Sequence, residues 1–128
     1  MVEGHRERLN ALSEKVIGCA YAVSNSLGSG FLEKVYENAL AHELRKNGIE
    51  VEQQYPMRAS YDGVVVGEFS ADLIVEKELL VELKVAKAFD PSHLAQGMNY
   101  LKASGLRLCL LLNFGKSHVE IKRLVNNF

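Results

Sequence analysis

Two carboxylates and one ammonium stand near the open end of a predicted β-hairpin. Residues 71–84, ADLIVEKELLVELK, are apolar in both halves, and a turn is predicted at residues 76–78. This turn places Asp72 directly opposite Glu82, and Lys84 follows on the same face of the sheet as Glu82. Opposed like charges cost about 0.2–1 kcal/mol in an exposed sheet. The cost rises where the sheet is partly covered, and a bound cation would remove it.

The chemistry that fits these three groups is metal-assisted phosphodiester hydrolysis. Carboxylate oxygens suit Mg²⁺, Mn²⁺ and Ca²⁺, and Mg²⁺ is typically held by one or two carboxylates together with waters and substrate phosphate. Lys84 can orient or deprotonate the attacking water, or stabilise charge on the phosphate. The simpler alternative is a solvated strand end in which Lys84 pairs with Glu82 or Asp72.

The first part of the chain predicts two helices, because apolar residues recur at spacings of three and four. One helix covers about residues 7–27 and stops at Gly28 and Gly30. The other covers about residues 31–47 and ends at Asn47-Gly48. The predicted buried positions are Leu9, Leu12, Val16, Ala20, Val23 and Leu27 in the first helix, and Leu32, Val35, Tyr36, Ala39, Leu40 and Leu44 in the second.

The rest of the chain predicts five strands and one further helix. Asp90 as N-cap and Pro91 at the first helical position start this helix, which buries residues 94, 98 and 101 and stops at Gly105. The helix allows a right-handed crossover between parallel third and fourth strands. The order α-α-β-β-β-α-β-β predicts an α/β fold with a mixed sheet flanked by helices. The predicted strands are residues 49–61 (with an edge or bulge at Pro56), 63–75, 78–86, 107–114 and 118–125.

Composition limits the class of protein. The 128 residues suit one domain, residues 1–128, and a net charge of −1 with pI about 6.4 leaves room only for a local basic patch. Cys19 and Cys109 are far apart and predict buried free thiols in a reducing compartment. No apolar run approaches the roughly 20 residues of a membrane span, and the charged N-terminus lacks a signal-peptide pattern. We therefore expect a cytoplasmic protein without a membrane partner.

Three motifs together resemble a known nuclease superfamily. Asp72, nine residues and then Glu82-Leu83-Lys84 resemble the signature of the PD-(D/E)XK nucleases. Residues 30–36, GFLEKVY, match the motif that names the GxxExxY protein family, small bacterial and archaeal proteins assigned to that superfamily. Residues 96–100, QGMNY, resemble the QxxxY helix motif of its exonuclease-like branch. The resemblance extends from about residue 12 to residue 125, and its one departure is the lack of a proline before Asp72.

The resemblance implies a restriction-endonuclease-like core and a metal-dependent nuclease that acts on DNA in preference to RNA. It implies that Asp72 and Glu82 bind Mg²⁺ or Mn²⁺ and take part in catalysis, and that Lys84 is the catalytic lysine. The carbonyl of Leu83 would complete the metal site, and Glu33 would bind the metal directly or through water.

Three helix residues carry both a functional and a structural interpretation. If Gly30 is the N-cap, Glu33 sits at the third helical position and can reach back to the cap amide. Tyr36 is a candidate substrate contact, but it lies on the apolar stripe, where packing is the simpler role. Gln96 and Tyr100 share one helix face, which suits a phosphate or base contact or merely a solvated surface.

Other function classes stay open on the sequence alone. A catalytically silent nuclease-fold module that binds nucleic acid or a protein partner would suit the near-neutral charge. A structural metal or Ca²⁺ site fits less well, because no loop has EF-hand spacing. A homodimer could form through the apolar residues 108–112 or through the first helix.

Overall fold

The structure, a computed structural model, describes residues 2–128, with side chains from residue 4 onward. Met1 of the charged N-terminal segment lies outside the described residues. The predicted order of helices and strands is confirmed. The elements are α1 (Val2–Leu27), α2 (Glu33–Lys46), β1 (Val51–Tyr61), β2 (Val64–Val75), β3 (Leu79–Lys84), α3 (Pro91–Ser104), β4 (Leu108–Asn113) and β5 (Glu120–Val125).

One five-stranded sheet organises the molecule, with the strands in the order β1-β2-β3-β4-β5. The pair β3–β4 is parallel and is joined through α3, whereas the other three pairs are antiparallel. Helices α1 and α2 pack on one face, and α3 packs on the other. All six residues of β4 are buried, as a central strand covered on both faces requires. The mixed α/β architecture is therefore the one that the sequence predicts.

The alternation of the two sheet faces reverses at one point of the β1–β2 pair. In a regular strand, residues two apart share a face. Here odd-numbered residues change sides where Gln54 lies in register with Asp72, and Gln54 has a left-handed backbone with φ 53°. On the side of the β2–β3 turn, the residues that pack toward α1 and α2 are Val51, Leu73 and Val75. On the side of the β1–β2 turn, the residues that pack toward α3 are Tyr55, Met57, Phe69 and Ala71.

Helix α1 begins at Val2, earlier than the predicted start near residue 7. Apolar periodicity carries no signal before Leu9, because the preceding described side chains are polar and hold the helix through distant contacts. Arg6 donates to the carbonyl of Phe128 at 3.0 Å, and Arg8 forms an ion pair with Glu78. Charged side chains therefore extend this helix beyond its apolar stripe.

The predicted buried face of α2 is partly wrong. Leu32 precedes the helix and is 80% exposed, and Val35 is 38% exposed. Glu37 is instead only 3% exposed and replaces Val35 on the buried side. The apolar spacing misled because the helix starts two residues later than predicted and a carboxylate on its inner face is fully hydrogen-bonded.

Helix α3 confirms its predicted ends. Asp90 is the N-cap and accepts from the backbone of Ser92 and His93, and Pro91 opens the helix. Gly105 ends it in the left-handed conformation, with φ 74°. The His93 ring also accepts from the Asp90 amide and completes a capping box, a structural role for this histidine.

Cys19 and Cys109 are both free and buried. Burial raises the pKa of both thiols. Among residues 2–128, no helix combines the length and the apolar character that crossing a membrane requires.

Candidate metal and catalytic site

Asp72 and Glu82 lie side by side where β2 and β3 separate. The predicted register of the hairpin is confirmed, and its last ladder pair is Leu73 with Val81. Beyond that pair, the N–H of Asp72 donates to Oε1 of Glu82 at 2.8 Å. The N–H of Leu83 donates to Oδ2 of Asp72, also at 2.8 Å. Each carboxylate thus accepts a backbone hydrogen bond from the opposite strand, which ties the two acidic groups together.

Both carboxyl groups resist ionisation in the absence of a cation. Glu82 is 3% exposed, and burial, followed by the charge of Asp72, raises its pKa to about 8. Burial also raises the pKa of Asp72, although the Leu83 N–H and the Gln54 amide oppose this shift. A positive ion placed here would favour the charged forms of both groups.

Lys84 is held by a chain of hydrogen bonds that reaches into α3. Its Nζ donates to Oε1 of Gln96 at 2.6 Å, and Nε2 of Gln96 donates to the hydroxyl of Tyr100 at 3.0 Å. The ring of Tyr100 stacks on Phe69 of β2, with 4.6 Å between centroids. The structure therefore brings Lys84, Gln96 and Tyr100 together, and the two helix residues orient the amine.

A glycine lets α3 lie close enough to the sheet for the hydrogen bonds between Lys84, Gln96 and Tyr100 to form. A Cβ atom added at Gly97 would lie 2.4 Å from Cδ1 of Leu124 and 3.3 Å from Cδ2 of Leu111. Gly97 follows Gln96 directly, so the turn of α3 that carries Gln96 packs closely against the sheet. Sequence reasoning missed this role, since a glycine inside a helix carries no sign of what it packs against.

Glu33 is the first residue of α2, and its carboxylate interacts electrostatically with Asp72 and Lys84. Burial and then the charge of Asp72 raise the pKa of Glu33, while the charge of Lys84 lowers it. The alternative capping role is wrong, because Leu32 rather than Gly30 is the N-cap and no side chain caps the helix. Glu33 therefore sits at the first helical position of α2.

Tyr36 is a core residue with no exposed surface. Its hydroxyl donates to the carbonyl of Gly28 at 2.6 Å and accepts from the N–H of Phe31 at 3.2 Å. Its ring stacks on Phe114, with centroids 4.8 Å apart. The tyrosine closes the loop between α1 and α2 and so sets where Glu33 begins its helix, which corresponds to the packing interpretation.

A further carboxylate, that of the buried Glu37, adjoins the site and was not predicted from the sequence. Oε2 of Glu37 accepts from Nζ of Lys34 at 2.9 Å and from Nε2 of Gln53 at 2.7 Å. Its Oε1 accepts from Nε2 of Gln54 at 2.7 Å, and the same nitrogen reaches Oδ1 of Asp72 at 3.3 Å. A charged residue within an amphipathic helix is normally predicted to be exposed. The sequence therefore gave no indication of the hydrogen bonds around Glu37.

An open groove borders the hydrogen-bond chain of Lys84. Phe69 and Tyr100 line it together with Arg58, Asn99 and Lys102. The groove thus carries two aromatic rings and two basic side chains, the combination that suits single-stranded nucleic acid. Lys102 and Lys87 are exposed, and Lys34 donates to Glu37.

The donor set suits a divalent cation with open positions. Asp72, Glu82 and Glu33 offer only hard oxygen ligands, which Mg²⁺ and Mn²⁺ prefer. In the part of the chain that the structure describes, no three His, Cys, Asp or Glu side chains enclose a common point. Two carboxylates with waters and a substrate phosphate are sufficient for Mg²⁺, so the residues present fit this ion.

The comparisons with known proteins agree with the fold and the motif. The sequence model of the PD-(D/E)XK nuclease superfamily matches residues 10–124. The crystal structure of SSO0001 is similar, with a TM-score of 0.59 and 17% identity over 74% of this chain and 50% of that one. The alkaline exonuclease LHK-Exo from Laribacter hongkongensis is also similar, with a TM-score of 0.54 and 14% identity over 73% of this chain and 56% of that one.

This chain thus spans about half the length of each of these two proteins. The structural similarities show that the sheet and its helices form a restriction-endonuclease-like α/β core. No curated protein matches the sequence.

Proposed function

The chain belongs to the PD-(D/E)XK nuclease superfamily, and on that premise we propose that it is a divalent-metal-dependent nuclease that hydrolyses phosphodiester bonds in DNA. The observation that carries the proposal is the convergence of Asp72, Glu82 and Lys84 at one end of the β2–β3 hairpin, with Gln96 bonded to the lysine. PD-(D/E)XK nucleases usually use divalent metal ions, and we propose Mg²⁺ or Mn²⁺ here.

Asp72 and Glu82 would hold the cation, with the carbonyl of Leu83 as a further ligand and Glu33 binding directly or through water. When bound, the cation supplies Lewis acidity and lowers the pKa of a coordinated water. Lys84 would stabilise the negative charge of the phosphate or move the proton of the attacking water. Its hydrogen bond to Gln96 supports this role, because it holds Nζ in place.

The groove beside Tyr100 supports a nucleic-acid substrate. Arg58 and Lys102 can contact phosphates, and the stacked rings of Phe69 and Tyr100 offer a surface for a base. The choice of DNA over RNA rests on the resemblance of the sequence motifs rather than on a contact.

We also assign the chain to the GxxExxY family within the superfamily. Gly30 has φ 113°, a conformation that favours glycine. Glu33 is the first residue of α2, and the Tyr36 hydroxyl closes the loop before it. The three named positions of the motif therefore each contribute to the placement of one acidic side chain.

The test is cleavage of end-labelled single-stranded, duplex and branched DNA, and of one RNA, with Mg²⁺, with Mn²⁺ and with a chelator. Asp72→Asn and Lys84→Ala are compared with the wild type and with Lys15→Ala, an exposed lysine of α1. We expect metal-dependent cleavage that both site variants lower by at least about 100-fold and the control retains. Cleavage that survives in chelator, or at the wild-type rate in both site variants, would contradict the proposal.

Nucleic-acid binding without turnover would establish the alternative, a catalytically silent nuclease-fold module. A shift assay on the same substrates in chelator measures that binding independently of cleavage.

A further inference from the structure

Asp72 stands at a break in the sheet that affects both of its neighbouring strands. On the β3 side, the described ladder ends one residue away, at Leu73. On the β1 side, the pairs run up to Gln53 with Leu73 and resume at Tyr55 with Ala71. Asp72 lies in register with Gln54 between these two pairs, so hydrogen bonds that involve side chains, rather than ladder bonds between backbone groups, fix it there.

Gln54 supplies a side-chain contact from the β1 side. Its backbone is left-handed, with φ 53°. This conformation costs a residue with a side chain about 1–2 kcal/mol. The amide Nε2 of Gln54 then donates to Oε1 of Glu37 at 2.7 Å and to Oδ1 of Asp72 at 3.3 Å. An amide nitrogen carries two protons, so one donor group serves both carboxylates.

Glu37 holds the amide of Gln54 in a fixed position. The carboxylate is 3% exposed and is bound by Lys34 and Gln53 as well as by Gln54. A buried charged group with three donors has little freedom to move, since breaking any of these bonds leaves a charge incompletely satisfied. The short bond to Glu37 therefore anchors the amide, and the second proton is presented to Asp72.

The orientation of Asp72 then has two determinants. The N–H of Leu83 holds Oδ2 at 2.8 Å, and the amide of Gln54 holds Oδ1. With one bond on each oxygen, the plane of the carboxylate is set, and each oxygen keeps a lone pair for a cation. Hydrogen bonds of this kind orient metal ligands and tune their affinity.

We propose that Gln54 is a positioning residue of the metal site, which orients the carboxylate of Asp72 from an amide anchored on Glu37. The inference rests on the proposed function, because it takes Asp72 to be a metal ligand. It adds a residue of β1 and a buried carboxylate of α2 to a site otherwise built on the β2–β3 hairpin, α2 and α3.

The neighbouring glutamine provides a matched control. Nε2 of Gln53 donates to Glu37 at 2.7 Å and to Oδ1 of Asn38 at 2.8 Å, and these bonds do not reach Asp72. Gln53→Ala therefore removes one bond to Glu37, whereas Gln54→Ala removes one bond to Glu37 and the bond to Asp72.

The experiment is calorimetric titration of Mn²⁺ into the wild type, Gln54→Ala and Gln53→Ala at one constant pH, with the Tm of each metal-free protein recorded. We expect Gln54→Ala to bind Mn²⁺ about 10-fold more weakly, at the lower end of effects seen when an outer hydrogen bond of a metal ligand is removed. We expect Gln53→Ala to bind within about twofold of the wild type, since it leaves Asp72 untouched.

The outcomes separate the two proposals. Equal Mn²⁺ affinity in all three proteins would overturn the role of Gln54 while leaving the nuclease proposal in place. Equal losses in Gln54→Ala and Gln53→Ala would overturn it too, because the effect would then run through Glu37 alone. A wild type that neither binds Mn²⁺ nor cleaves nucleic acid would overturn the proposed function and this inference with it.

If Gln54→Ala fails to fold, Gln54→Gly provides a second test. Gln54→Gly removes the same amide and also relieves the left-handed conformation at this position. We expect it to fold at least as well as Gln54→Ala and to show the same loss of Mn²⁺ affinity. Wild-type affinity in a folded Gln54→Gly protein would overturn the inference.

Discussion

Asp72 and Glu82 hold each other's strands: the N–H of Asp72 bonds the Glu82 carboxylate, and the carboxylate of Asp72 bonds the strand of Glu82 at Leu83. The two acidic groups are therefore structural parts of the hairpin as well as candidate metal ligands. Their protonation affects the folded state itself, so the stability of the metal-free protein should report on the site.

We predict that the metal-free protein loses stability as pH rises between about 4.5 and 8. The pKa of Glu82 is raised from its usual 4.5 to about 8, mainly by burial, so in this range the folded state binds more protons than the unfolded state. The free energy of unfolding must then fall with pH, by at most about 1.4 kcal/mol per unit. Urea denaturation at pH 5 and pH 8 in chelator measures the difference.

Glu82→Gln is the matching variant for this test. The glutamine oxygen can still accept from the Asp72 N–H, but the side chain stays neutral at every pH. We expect it to match the wild type at pH 5 and to exceed it in stability at pH 8. Saturating Mg²⁺ should stabilise only the wild type appreciably. A wild type as stable at pH 8 as at pH 5 would argue against the raised pKa.

Gln96 should act on catalysis through Lys84. We predict that Lys84→Ala lowers kcat by about 10²–10⁴-fold, the usual contribution of a proton-transfer or charge-stabilising group. Gln96→Ala should lower it by about 10-fold or more, because Nζ loses its 2.6 Å partner. Single-turnover cleavage at saturating Mg²⁺ measures these rates.

The double variant makes the Gln96 prediction specific. If Gln96 works only by orienting the amine, removing it from Lys84→Ala should cost nothing further. Lys15→Ala, on the exposed side of α1, serves as the control. Independent and additive losses in the double variant would show that Gln96 contacts the substrate itself.

Asn113 should hold the end of β3 in place. Its buried amide accepts from the N–H of Ala86 at 3.0 Å and donates to the carbonyl of Ala86 at 2.9 Å, two residues beyond Lys84. We predict that Asn113→Leu destabilises the protein by about 2–5 kcal/mol, because both backbone groups lose a buried partner. Chemical denaturation checks this. The exposed Asn25→Leu should change stability by less than about 0.5 kcal/mol.

The β2–β3 turn leaves room for stabilisation. Glu76 and Lys77 both have positive φ, 52° and 59°, a pattern that favours glycine and asparagine. We predict that Lys77→Gly raises the free energy of unfolding by about 0.5–1 kcal/mol, the left-handed strain relieved less the added chain entropy. Thermal denaturation should show a higher Tm. The reverse type of change, Gly63→Lys at φ 76° in the β1–β2 turn, should lower it.

Sequence patterning predicted the hairpin register because the turn at residues 76–78 fixes how the two apolar runs pair. Leu73 opposite Val81 follows from residues that must all be buried, and Asp72 near Glu82 follows from that pair. The fully apolar β4 and the capped α3 follow equally from local rules. The candidate site residues were therefore predicted on strands and a helix whose positions follow from local sequence patterns.

The remaining features depend on contacts between distant segments. Nothing about Gln54 announces a left-handed backbone, since glutamine does not favour that region. Glu37 is buried only because Lys34, Gln53 and Gln54 meet it after folding. Gly97 matters because Leu124 of β5 and Leu111 of β4 pack against it.

The reversal of faces at Gln54 also decides where this protein can change length during evolution. An insertion or deletion of one residue between Gln54 and Met57 would turn Met57 away from α3 and expose it. Beyond Met57 the hairpin leads to an exposed tip at Tyr61 and residues 64–66, where a longer or shorter arm disturbs no core. We therefore expect relatives of this chain to vary at the hairpin tip and to keep its base at a constant length.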